Sequence, residues 1–112
     1  MENVVYQVAK DVVSYNDETD RILTCISDKY CRYILSHTRD KPKSAFTIAL
    51  ETKIPISTVY RRIQELIKLK LLHVSGEITL DGKKIFYYHN TIQQIDCFFS
   101  DNETSVKIFY QK

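Results

Sequence analysis

Glycine and proline are scarce in this sequence, with two of each in 112 residues, and tryptophan is missing. Small β-barrels need many tight turns, which depend on these residue types, so such folds are disfavoured. No apolar run approaches the roughly 18 residues of a membrane-spanning helix. The N-terminus also lacks the basic and apolar regions of a signal peptide. We therefore expect a cytoplasmic globular protein without a membrane partner.

Motifs of the common enzyme classes are missing as well. The sequence contains no Gly-rich phosphate loop, nucleophile elbow or HExxH. The histidines, His37, His73 and His89, are scattered and have no ligand spacing to a cysteine. We therefore expect no enzyme activity, no metal and no other cofactor, and the pattern indicates no small-molecule ligand.

The three cysteines are odd in number and form no CxxC pair. This usage favours a reducing compartment over a disulfide framework. Cys25, Cys31 and Cys97 all lie in apolar patterns, and we interpret the first two as small buried side chains. A redox-sensing thiol is the alternative.

Positive charge is concentrated in the middle of the chain. Residues 41–84 carry nine Lys and Arg against four Asp and Glu, whereas residues 1–40 carry five against seven. A local basic excess is typical of a surface that meets nucleic acid.

Residues 55–72 carry the most informative pattern, a helix followed by the start of a strand. Val59, Ile63, Leu66 and Ile67 recur at helical spacing and form an aliphatic face. The other sides carry hydroxyl, amide and cationic groups of the kind that contact phosphates and base edges in the major groove. These candidate DNA-binding residues are Ser57, Thr58, Tyr60, Arg61, Arg62, Gln64 and Lys68. An ordinary surface helix with a solvated polar face is the alternative.

Three further helices are predicted before this one and after the N-terminal arm. The first begins at Asp20, and the second covers residues 28–38 with Ser27 or Asp28 as its N-cap. The third covers residues 44–52.

The connection between the third and fourth helices is very short. Ser44 is the predicted N-cap of the third helix, and Thr52-Lys53-Ile54 connects it to the fourth. Two short helices joined so tightly must cross steeply, which is helix-turn-helix geometry. Ile54 would be the apolar plug of the turn.

After the fourth helix the hydrophobic period changes from 3.6 to 2. Residues 73–80 and 83–89 predict two strands joined at an Asp-Gly dipeptide, because Gly tolerates the positive φ of a primed hairpin turn. Lys83 and Lys84 lie at the tip, so we interpret this hairpin as a basic wing.

The two ends of the chain lie outside the predicted helix-turn-helix and wing. Apolar residues within 3–14 share a helical face and predict a helix, although their valines favour strands. Residues 95–99 and 105–110 predict a second hairpin. The chain therefore divides into an N-terminal arm at 1–19, a DNA-binding domain at 20–90 and a C-terminal β-hairpin at 91–112.

Residues 47–66, Thr-Ile-Ala-Leu-Glu-Thr-Lys-Ile-Pro-Ile-Ser-Thr-Val-Tyr-Arg-Arg-Ile-Gln-Glu-Leu, closely resemble the helix-turn-helix of ArsR-like winged-helix transcription regulators, especially archaeal ones. Residues 27–35 are similar to the segment that opens such domains, and residues 84–88 to the aromatic second strand of their wing. The resemblance covers about residues 20–90. It implies three or more helices with a two-stranded wing, sequence-specific binding of double-stranded DNA and, commonly, a homodimer.

The sequence departs from this family at two positions. Lys53 and Lys70 stand where the family usually has Gly. A non-Gly residue in left-handed geometry costs about 1–2 kcal/mol, so either the turns differ locally or the lysines contribute something in return. Lys53 could meet a phosphate, and Lys70 gains from the helix dipole. The metal-thiolate motifs of metal-sensing members are missing, so metal sensing is not implied.

The predicted fold is α+β, mainly α: a winged helix-turn-helix with an extra N-terminal helix and a C-terminal β-hairpin. The predicted function is sequence-specific transcription regulation by a homodimer, with Lys53, Lys83 and Lys84 on the DNA backbone. The alternative is a winged-helix protein-interaction module of the transcription machinery. Residues 4–13 and the C-terminal strands are the candidate dimer contacts, unless they simply cover their own core.

Overall fold

The computed structural model describes residues 4–12, 18–101 and 103–111. Four helices and five strands lie within these ranges: β1 (Val4–Val12), α1 (Glu18–Ser27), α2 (Lys29–His37), α3 (Ala45–Thr52), α4 (Ile56–Lys68), β2 (His73–Ile78), β3 (Lys84–His89), β4 (Ile92–Ser100) and β5 (Glu103–Gln111). The α+β prediction is confirmed. The strands hold nearly as many residues as the helices, so the predicted predominance of helix is wrong.

Side-chain caps start two of the helices where the sequence predicted. Asp28 caps α2 by accepting a hydrogen bond from the backbone N–H of Cys31 at 3.3 Å. Ser44 caps α3 by accepting from the backbone N–H of Thr47 at 3.2 Å. Each cap satisfies a backbone donor that the first helical turn leaves without a partner.

The lysines that replace the expected glycines keep the left-handed geometry. Lys53, after α3, has a φ of 63°, and Lys70, after α4, has a φ of 62°. Behind α4 the backbone closes as a Schellman motif, in which Leu71 N–H donates to the Leu66 carbonyl at 2.8 Å and Lys70 N–H to the Ile67 carbonyl at 2.9 Å. The turns therefore follow the geometry that glycine would favour, at a cost of about 1–2 kcal/mol each.

The aliphatic face of α4 lies at the centre of the core, as predicted. Val59, Ile63 and Leu66 are fully buried, and Ile67 is partly buried against them. Ile54 is also buried, which confirms its predicted place as the plug of the α3–α4 turn. Other large core residues include Ile22, Ile34, Ile48, Leu71, Val106 and Ile108.

The β2–β3 hairpin follows α4 and projects from this core. Its strands pair antiparallel from His73 opposite His89 to Ile78 opposite Lys84. The predicted hairpin is confirmed, but the predicted two-residue turn is wrong. Thr79 N–H donates to the Lys83 carbonyl at 2.8 Å, so three residues, 80–82, form the loop between them, and Gly82 N–H donates to the Thr79 carbonyl. In such loops one residue takes a positive φ, and Gly82 does so at 85°.

Residues 4–12 form a strand, so the predicted N-terminal helix over 3–14 is wrong. β1 pairs antiparallel with β5, with Val5 opposite Tyr110 and Ala9 opposite Val106. Valines lose side-chain freedom in a helix and suit a strand. The edge of β5 offers backbone partners that a short sequence window does not reveal.

The two ends of the chain meet in a three-stranded sheet of order β1-β5-β4. The predicted C-terminal hairpin is confirmed as β4 and β5. Ile92, Val106 and Ile108 of this sheet lie in the same core as the helices, and α1 contacts both β1 and β5. Within the described ranges, no helix is long and apolar enough to cross a membrane.

Candidate nucleic-acid interface

The polar face of α4 points to solvent. Ser57, Tyr60, Arg61, Gln64 and Lys68 are exposed, and Thr58 is half-buried. The face opposite is buried because its aliphatic residues pack on the other helices. Most of the predicted DNA-binding residues of this helix are therefore available to a ligand.

Arg61 lies in the N-terminal half of this exposed face. Its Nη2 donates to the Thr58 hydroxyl at 3.4 Å, a contact between neighbours one helical turn apart. The contact is long and solvent-exposed, so it holds the guanidinium near the helix surface without consuming its other donors.

Arg62 lies on a different side of α4. Its Nε donates to Oδ2 of Asp28 at 2.5 Å, and its guanidinium lies 5.7 Å from the centre of the Tyr30 ring. About a third of its side chain is exposed. Arg62 therefore fastens α4 to the start of α2 and is less exposed than the polar face of the helix, and its predicted contact with DNA stays a prediction. At 100° per residue Arg62 lies beside the aliphatic stripe, so the helical period alone indicated a partly covered position for this side chain.

The Asp28–Arg62 pair shifts both ionisation equilibria. Burial opposes ionisation of Asp28, but hydrogen bonds from Arg62 and Cys31 and the charge of Arg62 together lower the pKa of this carboxyl. The hydrogen bond to Asp28 raises the pKa of Arg62. Both groups therefore stay charged at neutral pH.

The start of α3, Tyr60 of α4 and strand β3 of the hairpin line a shared groove of about 380 Å³. The residue of α4 that lines it is Tyr60, and Lys84 is among the lining residues of β3. Lys84 Nζ lies 5.3 Å from the centre of the Phe86 ring, so the ammonium sits at the groove wall. The other lining residues are Ser44, Ala45, Phe46, Ile85, Phe86 and Tyr88. The fold thus brings two predicted DNA-binding segments to one surface.

Two further predicted cations are exposed. Lys53 is exposed in the turn before α4, and Lys83 is exposed beside the hairpin tip. Tyr88, almost fully buried, anchors the hairpin, and its backbone exchanges two hydrogen bonds with Lys43 at 2.8 and 3.0 Å. These bonds fix the hairpin's base relative to the α2–α3 loop.

Several apolar side chains next to the groove are exposed, which the sequence pattern did not predict. Phe46 of α3 is 66% exposed and Phe86 of β3 is 46% exposed. Leu50, one turn after Phe46, and Ile56, at the start of α4, are exposed as well. The signal in the sequence was the (i, i+4) spacing of Phe46 and Leu50, which puts both on one face of α3.

Cysteines and histidines lie away from this surface or apart from one another. Cys25 and Cys31 are buried as predicted, whereas Cys97 is exposed on β4. His37 contacts Glu51 at 3.2 Å. Among the described residues, no group of three or more His, Cys, Asp or Glu has the geometry to hold a metal ion.

No protein-family model matches the chain, and no curated protein matches its sequence.

Proposed function

We propose that this protein is a cytoplasmic, sequence-specific regulator of transcription that binds double-stranded DNA through a winged helix-turn-helix of the ArsR-like type. In this proposal α3 and α4 are the helix-turn-helix, α4 is the recognition helix and the β2–β3 hairpin is the wing. The observation that carries it is the shared groove, because Tyr60 of the exposed face of α4 and Lys84 of the basic hairpin both line it.

The N-terminal turns of α4 would enter the major groove, as they do in helix-turn-helix proteins. Arg61 is suited to pair with guanine, since its planar guanidinium can donate two hydrogen bonds to one base edge. Ser57, Thr58, Tyr60 and Gln64 lie beside it.

The lysines would contact the DNA backbone. Lys53 flanks the start of α4, and Lys83 and Lys84 lie on the hairpin. A lysine ammonium recognises phosphate through charge more than through shape. Arg62 has a different part in this proposal: it holds the recognition helix against α2.

A homodimer completes the proposal. Two copies would read two half-sites, which doubles the interface that one small domain offers. β4 lies at an edge of the three-stranded sheet and carries Phe98 and Phe99, the latter 80% exposed. Exposed aromatics beside a sheet edge supply the apolar area that a second copy would cover. A monomer mass in sedimentation at micromolar concentration would contradict this part.

The deciding experiment is binding to random duplex DNA across a salt series. A protein that neutralises phosphates releases counterions, so log affinity must fall linearly with log salt. Selection of bound fragments from a random duplex pool would then supply the preferred site. If the protein did not bind the random duplex even at low salt, this result would contradict DNA binding.

A winged-helix protein-interaction module is the second candidate, favoured by the exposed Phe46, Leu50 and Ile56. The double variant Phe46→Ser with Leu50→Ser separates the two functions. Retention of DNA affinity in this variant would support the first function. Two results together would support the second function. The native chain would not bind DNA, and neutralisation of its basic face would leave its binding to a protein partner unchanged.

A further inference from the structure

The thiols of Cys25 and Cys31 meet where α1 passes into α2. Cys25 lies in the last turn of α1 and Cys31 in the first turn of α2, and they are 4% and 2% exposed. The two thiols are close enough for each to shift the pKa of the other. Cys97 lies on β4 in the three-stranded sheet and is exposed.

Both thiols line a groove of about 570 Å³ that opens to solvent. A water molecule occupies about 30 Å³, and a peroxide is little larger, so the groove has room for a small oxidant beside these two residues. The charged residues of its lining are Asp20, Arg21, Asp28, Arg62 and Glu65.

The surroundings make the two thiols unequal. The hydrogen bond from Cys31 is the largest influence on Cys25 and lowers its pKa, and the charge of Arg62 acts in the same direction. Burial, Glu65 and Asp28 oppose this effect without overcoming it. The same hydrogen bond, burial and the charges of Cys25 and Asp28 raise the pKa of Cys31. Of the pair, Cys25 therefore loses its proton more readily, and the thiolate is the reactive form.

We propose that Cys25 and Cys31 form a reversible intramolecular disulfide, which makes the α1–α2 junction a modification site for peroxide-class oxidants. The Cys25 thiolate attacks one peroxide oxygen and the O–O bond breaks, which gives a sulfenic acid and, after protonation, one water. The Cys31 sulfur then attacks the Cys25 sulfur. The S–O bond breaks, the Cys31 proton leaves with the hydroxyl as a second water, and the S–S bond forms. The two sulfurs together lose two electrons, and the peroxide is reduced to water. Thiol exchange with a dithiol reductant reverses the reaction.

The side chain of Asp28 links this site to α4. Asp28 accepts one hydrogen bond from the backbone N–H of Cys31 and another from Nε of Arg62. A disulfide of about 2.05 Å is much shorter than a thiol–thiol hydrogen bond, so its formation displaces Cys31 beside Asp28. The proposal does not depend on the DNA-binding function.

Peptide mapping of the full native chain tests the disulfide directly. The folded protein is treated with hydrogen peroxide, its remaining thiols are blocked under denaturing conditions, and it is digested with trypsin without reduction. Trypsin cleaves after Arg21, Lys29 and Arg32, so the disulfide would join the peptides 22–29 and 30–32. We expect this linked pair, a loss of about 2 Da from those peptides relative to the reduced forms, and its disappearance after dithiothreitol.

Matched variants separate the two thiols and remove a competing reaction. Cys97→Ser eliminates cross-linking through the exposed cysteine and should leave the 22–29 to 30–32 link unchanged. In the Cys97→Ser background, Cys31→Ser should stop at a Cys25 sulfenic acid that dimedone traps, whereas Cys25→Ser should react with dimedone far less. Free thiols at both Cys25 and Cys31 after peroxide treatment of the native chain, or links between chains only, would overturn the proposal.

Discussion

Arg62 of α4 donates from Nε to Oδ2 of Asp28 at 2.5 Å, and the same Asp28 oxygen accepts the backbone N–H of Cys31. One carboxylate therefore starts α2 and also holds α4. Because α4 carries the proposed recognition surface, this pair sets the orientation of that surface relative to the helices behind it.

A double-mutant cycle measures how strongly the pair contributes to stability. Arg62→Met keeps most of the side-chain packing and removes the charge. We expect a coupling energy with Asp28→Asn of about 0.5–1 kcal/mol, because both side chains are about a third exposed. Asp28→Ala should cost about 1 kcal/mol more than Asp28→Asn, since asparagine still caps the helix. Urea unfolding of the native chain, the two single variants, the double variant and Asp28→Ala measures these free energies of unfolding. A coupling energy near zero would show that Arg62 does not fasten α4.

The same pair makes stability depend on pH. The pKa of Asp28 is lower in the folded protein than in the unfolded chain, so its contribution is fully present above the unfolded value near 4. The contribution is lost as the pH falls through the lower folded-state pKa. The native chain should therefore lose more unfolding free energy between pH 6 and pH 3 than Asp28→Asn does. Equal losses in both proteins would contradict the assignment.

Arg61 and the hairpin lysines should affect DNA binding differently. Arg61→Ala should weaken binding to the preferred site far more than to random DNA, because a bidentate contact with guanine discriminates by about 1–3 kcal/mol. Lys83→Ala with Lys84→Ala should weaken both similarly and flatten the salt slope by about one to two units. Binding isotherms at several salt concentrations on both duplexes measure these effects. Arg62→Met is the matched control and should change stability more than specificity.

If Arg61→Ala lowered the two affinities equally, Arg61 would contact phosphate instead of a base. If neither variant changed binding, the DNA surface would lie elsewhere on the molecule.

The cysteines should be dispensable for DNA binding under reducing conditions, because all three lie away from the shared groove. Replacement of all three by Ala or Ser should leave specific affinity within about twofold, although the buried positions should cost stability. Isotherms on the preferred site, with circular dichroism as the folding control, decide this. Loss of specific binding in a folded variant would contradict it.

Variants of Lys53 separate the cost of its left-handed backbone from the contribution of its charge to DNA binding. Lys53→Gly relieves about 1–2 kcal/mol of left-handed strain and adds about 0.5–1 kcal/mol of unfolded-state entropy, so stability should stay equal or rise by up to about 1.5 kcal/mol. Lys53→Ala keeps the Cβ and removes the same charge, so it should show no such gain. Both variants should lose the same salt-dependent DNA affinity if Lys53 contacts phosphate. Destabilisation by Gly that exceeds that by Ala would show that the strain is not relieved.

Local patterns in the sequence were sufficient for several elements. The 3.6-residue period identified the buried stripe of Val59, Ile63 and Leu66, and Asp28 and Ser44 identified two helix starts, since a cap acts within a few residues of itself. The period of 2 around Gly82 identified a hairpin, although the number of residues in its turn did not follow.

Contacts between distant segments were decided by tertiary structure. Residues 4–12 are a strand because β5, about a hundred residues later, offers an edge to pair with. Arg62 faces Asp28, and Cys25 meets Cys31, because of how α1, α2 and α4 pack. A helical wheel describes one helix at a time, so it separated the faces of α4 but did not reveal which neighbour stood beside Arg62. The common groove of α4 and the hairpin likewise exists because Tyr88 anchors the hairpin in the core.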